Sequence, residues 1–278
     1  MNPNLWRRFV LQHSNSPVFS HFCSVSLSQT YRQSFSSSVS QAMEKPRVVR
    51  VPDRCELQHP TAEEEKDLGV ALETAVCSLK KGSVIAVPTD TIYGIAGLAQ
   101  NNEAIQRIYN IKNRSCTKPI AISVGEIDDL YKWSKVVVSR EVLEDLLPGP
   151  VTVVGERTKD LNPLLNPDHH LVGIRIPDHT FMRRLAQACD GPIALTSANR
   201  SSAQSTLTLD EFEYLWSQLD LLVDGGILSD TDKARLGSTV VDLSQQGKFR
   251  IIREGSAYKR TVDILKNLHQ MEEIVEPS

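Results

Sequence analysis

Polar and apolar positions alternate along the chain in two rhythms, one of helices and one of short strands. Leu68, Leu72, Ala75, Val76 and Leu79 recur at helical spacing behind Thr61 and Glu64, the residues of a capping box, and Gly82 ends the segment. The apolar run Val84–Val87 then reads as a buried strand stopped by Pro88. Ile105, Ile108 and Ile111 predict a second helix from Glu103 to about Lys112, capped by Asn102. Strands are expected at 120–124, 151–155, 171–176, 193–196, 221–223, 238–243 and 249–253. Helical pieces are expected at 126–133, 140–147 and 180–189, and from a Thr208 cap with Glu211 to Leu219. A last helix starts at Thr261. This gives about seven or eight strands and five or six helices, an α/β class. Several connections are too short for a helical crossover, so the sheet is mixed rather than parallel.

The organisation is one main domain with appendages. Residues 1–43 contain no Asp or Glu, carry Arg7, Arg8 and Arg32, and are dense in serine. Such a composition predicts a mitochondrial transit segment, and Met43 offers an internal start, so both mitochondrial and cytoplasmic products are expected. Residues 44–60 read as a polar linker, 61–270 as the folded domain and 271–278 as a polar tail. No apolar run approaches the length of a membrane span. The net charge of -3 gives no general attraction to nucleic acid. Five scattered cysteines without a C-x-x-C pair argue against a disulfide scaffold or a structural zinc. Cys77 and Cys189 fall on apolar helix faces, as small core residues. His169-His170 lies in a loop without companion metal ligands.

No phosphate-binding glycine loop, dinucleotide fingerprint or hydrolase elbow is present. Instead, apolar runs repeatedly end in small hydroxyl, amide or basic residues: Thr89 and Thr91, Arg175 and His179, Thr196, Ser197 and Asn199, Ser238 and Thr239, and Arg253. Each alone is an ordinary turn. Gathered at one edge of a sheet they would line a pocket. Lys112, Arg114 and Lys118 place three cations within seven residues, either a solvated helix end or a polyphosphate clamp.

Seven ordered motifs extend this pattern: Pro88–Gly94, Lys112-x-Arg114-x-x-x-Lys118-Pro119, Pro148–Thr152, Arg175-Ile176-Pro177-x-His179, Thr196–Asn199, Ser238–Asp242 and Arg253-x-Gly255. Together they resemble the YrdC-domain family of threonylcarbamoyl-AMP synthases, over roughly residues 66–265. The resemblance implies a twisted mixed sheet with flanking helices and a concave pocket. It implies formation of L-threonylcarbamoyladenylate and pyrophosphate from L-threonine, bicarbonate and ATP, with Mg²⁺ held mainly by the phosphates. The product would pass to a separate complex that modifies position 37 of tRNA. By the same resemblance Thr89, Ser123, Arg175 and Ser238 face threonine. Lys112, Arg114, Lys118, Thr152, Ser197, Asn199 and Arg253 face ATP. No catalytic base is assigned, and Asp90 and Tyr93 hold either substrate or the turn. The chain departs from the family at Ser202, where glycine is common, and lacks the second domain of longer members. Two other readings stand beside this one: a module holding structured RNA on the same surface, and a catalytically weak regulatory paralogue.

Overall fold

The computed structural model describes residues 46–52, 61–112, 119–200 and 203–275. The expected transit segment, Arg114, Lys118 and Ser202 lie outside the described residues. In chain order the elements are β1 (Arg47–Arg50), α1 (Ala62–Lys80), β2 (Ile85–Val87), β3 (Gly94–Leu98), α2 (Asn102–Lys112), β4 (Ala121–Ser123), α3 (Ile127–Trp133), β5 (Ser134–Lys135), α4 (Arg140–Leu146) and β6 (Val151–Arg157). There follow β7 (Leu171–Arg175), α5 (Thr180–Cys189), β8 (Ile193–Ser197), a 3-10 helix (Asp210–Gln218), β9 (Leu221–Asp224), a second 3-10 turn (Asp232–Leu236), β10 (Thr239–Asp242), β11 (Lys248–Arg253), α6 (Tyr258–Asp263) and β12 (Glu272–Glu273).

The strands form one mixed sheet in the order β1-β9-β2-β3-β8-β4-β7-β6-β10-β11-β12, with β5 pairing on β6. Both faces are covered. On β2, Ile85 and Val87 join the core under α1 and α5, with Leu68, Leu79, Phe181 and Leu185, while Ala86 points to the other face. That second core, the larger, gathers Ile105, Ile108, Ile122, Leu143, Phe212 and Phe249. A strand buried on both sides reads as a continuous apolar run, which is why β2 shows no alternation.

Local signals hold where they are strong. Thr61 and Glu64 close the capping box, with Thr61 N donating to Glu64 at 2.6 Å and Glu64 N to Thr61 Oγ1 at 3.3 Å. The limits of α5 and the β10–β11 hairpin also fall where the sequence places them.

Several elements differ. Arg47–Arg50, inside the expected linker, is a parallel edge strand on β9, and Glu272–Glu273 in the expected tail pairs with β11. β3 follows β2 directly as an antiparallel partner. Its two glycines and its alanine conceal it, because these residues are poor strand formers. Gly94 packs closely on β8: a Cβ there would lie 2.6 Å from Leu195 Cδ1, which would have to shift. Among the described residues, twelve strands therefore replace the expected seven or eight.

Helix α2 is capped by Asn101 rather than Asn102, through Ala104 N to Asn101 Oδ1 at 2.9 Å. The Thr208 capping box does not form. Glu211 instead accepts from Leu207 N at 3.1 Å and pairs with Arg235 at 2.7 Å, and the helix is of the 3-10 type. The last helix begins at Tyr258, with Thr261 buried inside it. Cys189 is in the core, but Cys77 faces outward. No helix among the described residues is long and apolar enough to cross a membrane.

Candidate active site

The turn between β2 and β3 builds itself from its own hydroxyls. Thr89 Oγ1 accepts from Thr91 N at 3.1 Å and Ile92 N at 3.2 Å and donates to Ile92 O at 2.7 Å. That uses the hydroxyl's one proton and both lone pairs, so Thr89, expected to touch substrate, spends its side chain on the turn. Tyr93 does the same work from below. Its hydroxyl donates to Gly226 O at 2.8 Å and accepts from Gly225 N at 3.0 Å, and its ring packs on Phe212. Tyr93 holds the turn.

Beside it stands the end of β8. Lys112 is buried, and its ammonium donates to Ser197 O at 2.6 Å, to Asn199 O and to Asn199 Oδ1 at 3.1 Å. Ser197 Oγ donates to the same Asn199 Oδ1 at 2.6 Å, and Asn199 Nδ2 donates to Ala203 O at 2.6 Å. Lys112, Ser197 and Asn199 thus form one hydrogen-bonded unit, without Thr152 and Arg253, which the resemblance grouped with them and which bond with Ser238.

The remaining residues collect elsewhere. Ser123 and Arg175 are register partners on β4 and β7. Thr152 Oγ1 and Ser238 Oγ are 2.8 Å apart, and Arg253 donates to Ser238 O at 2.7 Å and Ser238 Oγ at 3.1 Å. Arg175 Nη2 donates to Asp90 Oδ1 at 2.5 Å and to Thr91 Oγ1 at 3.3 Å. The other Asp90 oxygen accepts from Asp178 N at 3.1 Å. Burial pushes the Arg253 guanidinium below its ordinary value, and the neighbouring Arg175 pushes it further. Arg175 is paired with Asp90, while Arg253 donates to Ser238. Among the described residues, Ser123 Oγ and Arg175 Nε are buried without any hydrogen-bond partner. A buried donor left unpaired costs about 1–3 kcal/mol, so this cluster favours an anion with several acceptor oxygens.

The expectation of one sheet edge is corrected by the register. β8 runs antiparallel to β4, so Ser197 and the end of β2 lie at one edge. Ser123, Arg175, Thr152, Ser238 and Arg253 lie at the opposite edge. The β2–β3 turn joins them: Asp90 reaches Arg175, and Ile92 approaches Gly237 beside Arg253. In the sheet order β7 is four steps from β2. At about 4.8 Å per step in a flat sheet that separation exceeds an arginine side chain. The turn beyond β2, which carries Asp90, and the twist of the sheet together close that gap.

Sequence reasoning left Asp90 undecided. Its position between two threonines after a proline was the available signal, but its partner lies 85 residues away. A separate groove of about 220 Å³ between the start of α3 and the end of α5 is lined by Gly125, Glu126, Asp129, Trp133, Gln187 and Asp190, and holds none of the assigned residues. Among the described residues no three His, Cys, Asp or Glu side chains gather as metal ligands. Asp90 is already committed to Arg175 and Asp178, so a Mg²⁺ ion here would be held by phosphate and water oxygens.

The family model described as Telomere recombination, covering Sua5, YciO and YrdC, matches residues 77–255. A Mus musculus protein named threonylcarbamoyl-AMP synthase is 54% identical over 198 residues, spanning 70% of this chain and 71% of that one. A Homo sapiens protein of the same name is 53% identical over the same shares. The solved structure of P. abyssi Sua5 complexed with L-threonine shares the fold with a TM-score of 0.66 at 22% identity, covering 83% of this chain and 65% of that one. E. coli YciO shares it with a TM-score of 0.63 at 23% identity, covering 76% and 96%. On the strength of these matches, the chain belongs to the Sua5/YciO/YrdC family.

Proposed function

We propose that this chain is an L-threonylcarbamoyladenylate synthase, which makes threonylcarbamoyl-AMP and pyrophosphate from L-threonine, bicarbonate and ATP. The observation that carries the proposal is the buried Arg175, paired with Asp90 and flanked by Arg253, with two unpartnered donors, its own Nε and Ser123 Oγ. Relatives at 53–54% identity bear the name of this activity.

Arg175 Nε and Ser123 Oγ supply donors for the threonine carboxylate. Asp90 holds Nη2 of the same guanidinium. The threonine amine attacks the bicarbonate carbon, water leaves, and a carbamate remains. A carbamate oxygen then attacks the α-phosphorus of ATP while the bond to the β-phosphate oxygen breaks and pyrophosphate departs. Arg253, with the Ser238 and Thr152 hydroxyls, stands where charge on the nucleotide needs support. Lys112, Ser197 and Asn199 frame the nucleotide from the other edge; Arg114 and Lys118, assigned to ATP by resemblance, lie outside the described residues. Mg²⁺ enters with ATP and offsets the charge of the leaving pyrophosphate. The chain's own contribution is positioning and fixed charge, as in other phosphoryl-group chemistry.

The product is a mixed anhydride, suited to transfer onto position 37 of tRNA by a separate threonylcarbamoyl-transferase complex. The excess of acidic residues in the chain speaks against a module that holds RNA by its charge. The test is pyrophosphate release from ATP by purified protein with each substrate omitted in turn. Release that needs both threonine and bicarbonate supports the reading, and release indifferent to either one refutes it. The acid-free segment 1–43 supports import of the full chain into mitochondria and a cytosolic product from Met43. A fluorescent fusion of residues 1–50 that stays in the cytosol contradicts that placement.

A further inference from the structure

We propose that Asn166 is a positioning residue for the nucleotide, clamping the last turn of α2 to the start of β4 and so fixing Lys112. The inference rests on reading Lys112 as part of the nucleotide site.

Asn166 sits in the Pro- and Asn-rich loop before β7, which by sequence is a surface connection. Yet Leu161, Asn162, Leu165 and Asn166 are all buried. Asn166 has a φ of 51°, a left-handed conformation that asparagine tolerates better than most residues. Its side-chain amide pairs with the backbone of Ile120 as a neighbouring strand would. Ile120 N donates to Asn166 Oδ1 at 2.8 Å, and Asn166 Nδ2 donates to Ile120 O at 2.8 Å. The same residue grips α2: Asn166 N donates to Tyr109 OH at 2.8 Å, and that hydroxyl donates to Asn166 Oδ1 at 3.2 Å. Tyr109 lies one helical turn before Lys112, and Ile120 leads directly into β4 and Ser123.

The loop is itself anchored. Arg157, at the end of β6, donates to the carbonyls of Leu161, Asn162, Leu165 and Asn166 at 2.6–3.2 Å. Asn162 holds the other end of α2, donating to Ala99 O and Asn102 Oδ1, each at 3.0 Å. Helix α2 is thus held at both ends by one loop. The three acceptors of Lys112 lie across on the β8 side, and hydrogen bonds weaken steeply as alignment is lost. A tilt of α2 would therefore be felt first at the Lys112–Ser197–Asn199 unit and little at Arg175.

The experiment titrates Mg-ATP and, separately, L-threonine into wild type, Asn166→Ala, Tyr109→Phe and Lys112→Ala proteins by calorimetry. Asn166→Ala should weaken ATP about tenfold or more, as small misplacements at a site do, and threonine by less than about threefold. Tyr109→Phe, which keeps the ring and removes the hydroxyl, should shift ATP in the same direction by a smaller factor. In the Lys112→Ala background neither change should weaken ATP further. Equal loss for both substrates marks a general structural role and overturns the proposal. So does an unchanged ATP affinity in the Asn166 and Tyr109 variants when Lys112→Ala weakens it. If Lys112→Ala itself leaves ATP binding intact, the reading of Lys112 fails instead. Should Asn166→Ala not fold, Tyr109→Phe and its Lys112 double variant decide the matter alone.

Discussion

The two edges of the sheet carry the same kinds of residue in opposite states. At the edge formed by β2 and β8, the named polar side chains are satisfied by their own surroundings. Thr89 closes its turn, Tyr93 bridges to Gly225 and Gly226, and Lys112 is surrounded by carbonyl oxygens. At the edge formed by β4, β7, β10 and β11, Arg175 Nε and Ser123 Oγ have no partner among the described residues, and burial together with the neighbouring Arg175 holds the Arg253 guanidinium below its ordinary value. Satisfied groups make a frame, while unsatisfied ones await a ligand. The β2–β3 turn belongs to both, because Thr89 and Tyr93 fix it to the frame and Asp90 carries it across to Arg175.

The largest effect should come from breaking that link. Asp90→Ala leaves Arg175 buried without its carboxylate, and stability should fall by about 3–5 kcal/mol, read by urea unfolding. A loss below about 1 kcal/mol would show that water already screens the pair. Next is Gly255→Ala. Its Cβ would stand 2.3 Å from Ser238 C and Thr239 N, both backbone. Relief requires Ser238 to move, so a stability loss of about 1–3 kcal/mol or more should accompany weaker substrate binding. Full activity at wild-type stability would contradict the packing.

Tyr93→Phe tests the frame. It removes a buried hydroxyl that serves Gly225 and Gly226, so stability should fall by about 1–3 kcal/mol while threonine affinity changes little. A selective loss of threonine affinity would move Tyr93 into the site. The smallest effect concerns Glu211, whose carboxyl is held below its ordinary value of 4.5 chiefly by the hydrogen bond from Arg235. Its contribution to stability is present above that unfolded value and is lost as pH falls through the lower folded one. Glu211→Gln should therefore flatten slightly the decline of melting temperature with acid, and should not alter stability's response to pH above 6.

The sequence was most legible where the signal is local. The capping box of α1, the limits of α5 and the β10–β11 hairpin are set by residues within a few positions of each other. β3 was hidden because its glycines answer to contacts outside the strand, Gly94 to Leu195 on β8, about 100 positions away, and Gly97 to Ala104 and Ile108 on α2. The Thr208 cap failed because Arg235, 24 residues on, takes the Glu211 carboxylate. The site shows the same division. Its candidate residues are legible as motifs, since hydroxyls and cations after apolar runs can be read directly. Their division between two edges could not be read, because it depends on strand direction and order. Nor could the state of Thr89, whose hydroxyl was offered to a ligand by sequence and is satisfied within the turn. The clamp formed by Asn166 was missed because an asparagine in a proline-rich loop looks like any turn residue.

Calorimetric titration of L-threonine into wild type, Arg175→Ala and Tyr93→Phe tests the division of labour most directly. Loss of a charged hydrogen bond, about 1.5–3 kcal/mol, should weaken threonine about tenfold to a few hundredfold in Arg175→Ala, with Tyr93→Phe close to wild type. Threonine affinity unchanged by Arg175→Ala, or lowered as much by Tyr93→Phe, would contradict a site made of unsatisfied groups held on a satisfied frame.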